Sequence, residues 1–144
     1  MKKTGNFDLQ DFLPYVLAQA AEDSSLGFQV VYKERYGLLR TEWRVLFHLG
    51  RYGEMSASEI CNRSRIHKTK VSRAVKGLGQ HRFLSREASQ SDRRQEILSL
   101  TRDGEAAYEY LCNAARQYDA RLAALFTPEE DEVLRRCLKK LARL

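Results

Sequence analysis

Along most of the chain, apolar residues recur at spacings of three and four, a pattern that predicts a helix-rich fold. Phe12, Leu13, Val16, Leu17, Ala20, Phe28 and Val31 trace a long first helix that ends near Gly37, a residue suited to a left-handed C-cap. Thr41 is expected to cap a short second helix, whose apolar residues Trp43, Leu46, Phe47 and Leu49 run to a turn marked by Gly50 and Gly53. Ser56-Ala57-Ser58-Glu59 fits a capping box and opens a third helix that buries Ile60. A fourth begins near His67. Its apolar residues Val71, Val75 and Leu78 fall at i, i+4 and i+7, which puts Thr69, Ser72, Arg73 and Lys76 on the opposite, exposed face.

After this helix the period changes. Phe83 to Glu87 and Gln95 to Leu100 read as two short strands around the polar loop 88–94, despite the adjacent apolar pair Ile97 and Leu98. A fifth helix follows Thr101, and its residues Tyr108, Leu111, Ala115, Tyr118, Leu122 and Leu125 step by three and four as a helix-packing seam. Thr127-Pro128-Glu129-Glu130 is the clearest boundary in the chain: a capping hydroxyl, proline at the first helical position, and glutamate three residues after the cap. Leu134, Leu138, Leu141 and Leu144 then form an apolar stripe on a sixth helix that needs a partner. Prolines occur only at 14 and 128, so none interrupts the elements between them.

The 144 residues, 43% of them hydrophobic, suit a single domain around one core. Charge sharpens the picture. The formal net charge is +6, yet the segment from Ile60 to Leu100 alone holds ten cations against three anions, and the rest of the chain sums to −1. A basic block of this kind points to a polyanionic partner. Cys61, Cys112 and Cys137 lack both the number and the spacing of a disulfide scaffold or a metal-binding pair, which favours a reducing compartment. Met1-Lys2-Lys3 resembles the opening of a signal peptide, but Thr4-Gly5-Asn6 follows. The most apolar stretch, residues 12–21, is shorter than the ~18 residues a membrane span needs, so the expected location is the cytoplasm, with no membrane partner.

Three helices, a cationic helix and a hairpin, flanked by long apolar helices, describe a mainly α fold with a small β-hairpin wing. This is a winged helix-turn-helix within a helical dimerisation frame. On this reading residues 1–40 and 101–144 supply the dimerisation helices, and 41–100 form the DNA-binding lobe. Leu39 to Leu46 (LRTEWRVL), Ser56 to Ile60 (SASEI), Lys68 to Val75 (KTKVSRAV), Ser91 to Arg94 (SDRR) and Ser99 to Gly104 (SLTRDG) resemble the multiple antibiotic resistance regulator (MarR) family. The resemblance runs from about Phe12 to the C-terminus. It implies a homodimeric transcription regulator that binds double-stranded DNA at a pseudo-palindromic operator, most simply as a repressor.

Lys68, Thr69, Lys70, Ser72, Arg73 and Lys76 are then the expected contacts in a major groove, where arginine grips guanine and hydroxyls meet bases or phosphates. The resemblance also implies that Arg94 enters the minor groove, with Asp92 holding the wing arginine and Arg93 meeting phosphate. Three departures from the family pattern bear on the fourth helix. His67 replaces a capping aspartate, Gly77 and Gly79 replace helix formers, and Arg82 stands at a usual glycine position.

The family commonly answers to small aromatic or organic acids held between its two lobes. Tyr15, Tyr32, Trp43, Arg44 and His48 are the expected effector contacts, a cation beside aromatic rings being suited to a carboxylate. Two alternatives stay open: a winged-helix module that binds RNA or a protein, and a cysteine-based redox-sensing regulator. No glycine-rich phosphate loop, nucleophile elbow or acid–base pair suggests an enzyme, and no metal site or cofactor is expected.

Overall fold

The computed structural model describes residues 5–92 and 94–144. A single 3-10 turn at Leu9–Asp11 precedes α1 (Leu13–Tyr36). This helix ends as expected at Gly37, which takes a left-handed φ of 67° and donates its N–H to the Lys33 carbonyl. Helix α2 (Arg40–Tyr52) begins two residues earlier than a Thr41 cap requires. The cap is supplied from the other side: Glu42 Oε1 accepts the Leu39 N–H at 2.8 Å, so Thr41 lies inside the first turn. Gly50 is likewise not part of a turn. It lies within α2, where the ring of Tyr108 packs so closely that a Cβ would overlap it, and the turn falls at Gly53.

Helix α3 (Ala57–Ser64) starts at Ser56, whose Oγ accepts the Glu59 N–H at 3.2 Å. Helix α4 (Lys68–Gln80) is capped by His67, whose Nδ1 accepts the Thr69 N–H at 3.2 Å. Arg82 adopts φ 62°, so the chain enters the wing through the left-handed conformation that a glycine would take with less strain. Strands β1 (Leu84–Ala88) and β2 (Glu96–Leu100) pair antiparallel, with Leu84 opposite Leu100 and Ala88 opposite Glu96. Met55 adds a bridge to Leu98, exchanging both backbone hydrogen bonds with it at 2.8 and 3.0 Å. Periodicity gave no sign of this third contact, because a single residue has no period.

Helix α5 (Arg102–Ala123) is capped by Thr101, and α6 (Pro128–Ala142) carries the full reciprocal box of Thr127 and Glu130. The core is concentrated in the lobe and its junction with the long helices. Leu38, Val45, Leu46, Ile60, Val71, Val75, Leu78, Leu98 and Leu111 are all buried there. At roughly 1.5 to 3 kcal/mol per buried aliphatic side chain, this group holds α4 firmly against α2 and α3. Helix α6 buries none of its residues, and α1 buries only Phe28 and Tyr32. Among the described residues, no helix is long and apolar enough to cross a membrane.

Candidate nucleic-acid interface

The burial of Val71, Ala74, Val75 and Leu78 fixes the rotation of α4, and the rest of that helix follows. Lys68, Thr69, Lys70, Ser72, Arg73 and Lys76 are all exposed. Among the described residues, none of the four cations in this set has a carboxylate within 4 Å. Their charge is therefore not compensated within the fold, and it faces solvent on one side of one helix.

At the wing, Arg86 reaches diagonally across the strands to pair with Glu96 at 3.5 Å. Beyond them, Asp92 Oδ1 accepts the backbone N–H of Arg94 at 3.0 Å, and the Asp92 carbonyl accepts the Gln95 N–H at 3.0 Å. The carboxylate thus shapes the backbone that presents Arg94, and the Arg94 side chain is exposed. Arg93 lies outside the described residues.

A cavity of about 460 Å³ opens between α1, α2 and α5. Phe28, Tyr32, Trp43 and Tyr118 form its aromatic wall, with ring centroids 5.0 to 5.9 Å apart. Tyr118 donates its hydroxyl to the Ser24 carbonyl at 2.6 Å, which ties α5 to α1. Burial pushes the Tyr32 phenol above its ordinary pKa, opposed in part by the Arg40 guanidinium. Arg40 in turn is raised by its hydrogen bond to Glu22, made at 3.2 Å.

Of the five effector contacts expected from sequence, Tyr32, Trp43 and Arg44 line this cavity. Tyr15 and His48 do not. Tyr15 lies near the start of α1, well before the cavity-lining residues Ser24 and Ser25. His48 turns back along its own helix, its Nδ1 2.7 Å from the Arg44 carbonyl. Sequence reasoning missed Arg40, Tyr118 and Asp119. The step of Tyr118 along the fifth helix marked a packing position but could not say that a void lies beside it.

Residues 36–95 match the model of the MarR family. The HTH-type transcriptional regulator YwoH of Bacillus subtilis is 28% identical over 99 residues, a span covering 69% of this chain and 72% of YwoH. A probable transcriptional regulator from Pseudomonas aeruginosa superposes with a TM-score of 0.83 at 25% identity, over 93% of this chain and 99% of its own. BpsR of Bordetella bronchiseptica, whose DNA binding is regulated by 6-hydroxynicotinic acid, superposes with a TM-score of 0.87 over 97% and 99%. At 21% identity, that last likeness concerns the fold.

Proposed function

We propose that the chain is a transcriptional regulator of the MarR family, whose model its residues 36–95 match, and that it acts in the cytoplasm as a homodimeric repressor, bound to a pseudo-palindromic operator and released by a small aromatic or organic acid. The observation that carries this reading is the exposed face of α4, where Lys68, Lys70, Arg73 and Lys76 meet no carboxylate among the described residues. Folding a protein around such an uncompensated cationic ridge makes physical sense when a polyanion completes it.

In this assignment residues 41–100 form the DNA-binding lobe, and residues 1–40 and 101–144 hold two copies together. Arg73 reads a base edge in the major groove, Thr69 and Ser72 meet bases or phosphates, and Lys68, Lys70 and Lys76 neutralise phosphates. Arg94 enters the minor groove on a backbone set by Asp92, and Arg93 meets phosphate. Twofold symmetry places the paired helices in successive major grooves, about 34 Å apart.

The effector reading rests on the cavity. Its wall is aromatic, and Arg44 in its lining has no carboxylate within 4 Å among the described residues. Such a lining suits a ring that bears a carboxylate. The regulator of BpsR is an acid of this class. The effector set is therefore Tyr32, Trp43 and Arg44, joined by Arg40 and Tyr118.

Selection of bound fragments from genomic DNA tests the proposal. The expected yield is an inverted repeat with half-sites one helical turn apart, from which sodium salts of aromatic acids displace the protein in a fluorescence anisotropy titration. Fragments without a dyad, or tighter binding to RNA than to the recovered duplex, would overturn it.

A further inference from the structure

Arg44 faces two environments. It is one of the residues lining the cavity, and its Nη2 donates to the Ser64 carbonyl at 3.3 Å. Ser64 is the last residue of α3, in the turn where helix carbonyls lack partners, so a guanidinium there both satisfies an acceptor and complements the negative end of the helix.

Ser64 also organises the entry to α4. Its Oγ donates to the Ile60 carbonyl at 2.6 Å and accepts the Ile66 N–H at 3.2 Å. Arg65 turns the chain at φ 58°, and His67 then caps the helix. Only Arg65, Ile66 and His67 separate the partner of Arg44 from the first residue of the DNA-facing helix.

The other charges lining the cavity already have partners. Arg40 is held by both oxygens of Glu22, at 3.2 and 3.4 Å, and Asp119 by Arg135 at 3.1 Å. A carboxylate that enters the cavity therefore meets Arg44 as its uncompensated counter-charge. A forked guanidinium–carboxylate pair makes two short charged hydrogen bonds, whereas the bond to Ser64 is single and long.

We infer that Arg44 is the positioning residue that couples the cavity to the helix-turn-helix: the effector's carboxylate draws its guanidinium off the Ser64 carbonyl and loosens the turn that sets α4. This coupling rests on the effector reading above. It makes ligand occupancy and DNA affinity two uses of one side chain.

The test uses the full chain with sodium benzoate and sodium phenylacetate, and benzamide as the uncharged counterpart. One readout is the fluorescence of Trp43, the only tryptophan in the sequence and part of the cavity wall. The other is amide hydrogen exchange at Ile66 and His67. In the wild type the acids change Trp43 emission and speed exchange at both amides about tenfold, the scale of one charged hydrogen bond, while benzamide does neither.

Arg44→Gln, at an exposed position, exchanges fast without ligand and no longer responds to either acid. Arg44→Lys keeps the charge but not the fork, so it binds benzoate more weakly and shows a smaller change in exchange. A Trp43 response with unchanged exchange at 64–67 would overturn the coupling and leave the effector reading intact. Fast exchange in Arg44→Gln combined with no Trp43 response to either acid in the wild type would remove the effector reading, and the coupling with it.

Discussion

Gly104 lies directly against the carbonyl oxygen of Phe83, so that a methyl group added at Gly104 would overlap that backbone atom. The same carbonyl accepts the Thr101 N–H at 3.0 Å. Thr101 Oγ1 donates to the Arg82 carbonyl at 2.7 Å and accepts the Gly104 N–H at 3.0 Å. These contacts fasten the start of α5 to the base of the wing. Gly104→Ala forces backbone to move and is expected to cost about 1 to 3 kcal/mol, as overpacking does. Gly79 provides the contrast: a methyl group there would enter open space, and Gly79→Ala is expected to gain up to about 1 kcal/mol from helix propensity. Thermal denaturation of the two variants checks the pair, and a Gly104→Ala protein as stable as the wild type would refute the close approach.

Arg82 carries strain that a glycine would relieve. At φ 62° an L-residue sits roughly 1 kcal/mol above its relaxed conformation, and the side chain is exposed, so little packing depends on it. Arg82→Gly is expected to raise the denaturation midpoint by a few degrees. A lower midpoint would mean that the arginine stem contributes contacts that outweigh the strain.

Much of this architecture is written in local signals. The Thr127 box, the apolar register of α4 and the left-handed end of α1 each depend on residues within one or two turns of each other, and the hairpin was displaced by only one residue at each strand's start. What a local reading misses depends on distant partners. Gly77 looks like a poor helix residue, yet its Cα lies against the Glu42 carboxylate, which is 6% exposed and tied to Leu39 N–H. A larger residue there would push on a group with nowhere to go. The cavity joins Ser24, Arg40 and Asp119, residues too far apart in sequence for any period to relate them. The i, i+4 spacing likewise puts His48 near Arg44 without saying that its ring bonds the Arg44 carbonyl and does not line this cavity.

Two side chains one turn apart on the exposed face of α4 are expected to behave differently. Arg73→Ala should cost about 1 to 3 kcal/mol on the recovered operator and little on random duplex, because a base contact is lost. Lys76→Ala should weaken both alike and lower the salt slope by about one, as a lost phosphate contact does. If a dimer neutralises on the order of eight phosphates, the wild-type log–log slope is near −7. Anisotropy titrations at several salt concentrations separate these outcomes. Equal losses for Arg73→Ala on both duplexes would remove its base-reading role.

The apolar stripe of α6 calls for a second copy of the chain. Leu134, Leu138 and Leu141 are 38%, 39% and 54% exposed, and nearby in type, though not in sequence, Phe12, Leu13 and Val16 on the first turns of α1 are exposed as well. Obligate homodimer interfaces bury 2,000 Å² or more and are rich in such residues, so both helices have the composition of an interface. Charges placed in the stripe should split the dimer without disturbing the lobe, because α6 buries none of its own residues within the chain. Leu134→Glu combined with Leu138→Glu is therefore expected to sediment as a monomer at micromolar concentration, with the helical signal of the wild type retained. Each monomer still carries one cationic ridge, but it loses the second half-site, whose tethered binding is worth roughly 10² to 10⁴ in affinity. Operator binding should fall by that factor while binding to a single half-site stays unchanged. A wild-type protein that is already monomeric at micromolar concentration, or a double variant that remains dimeric, would place the interface elsewhere.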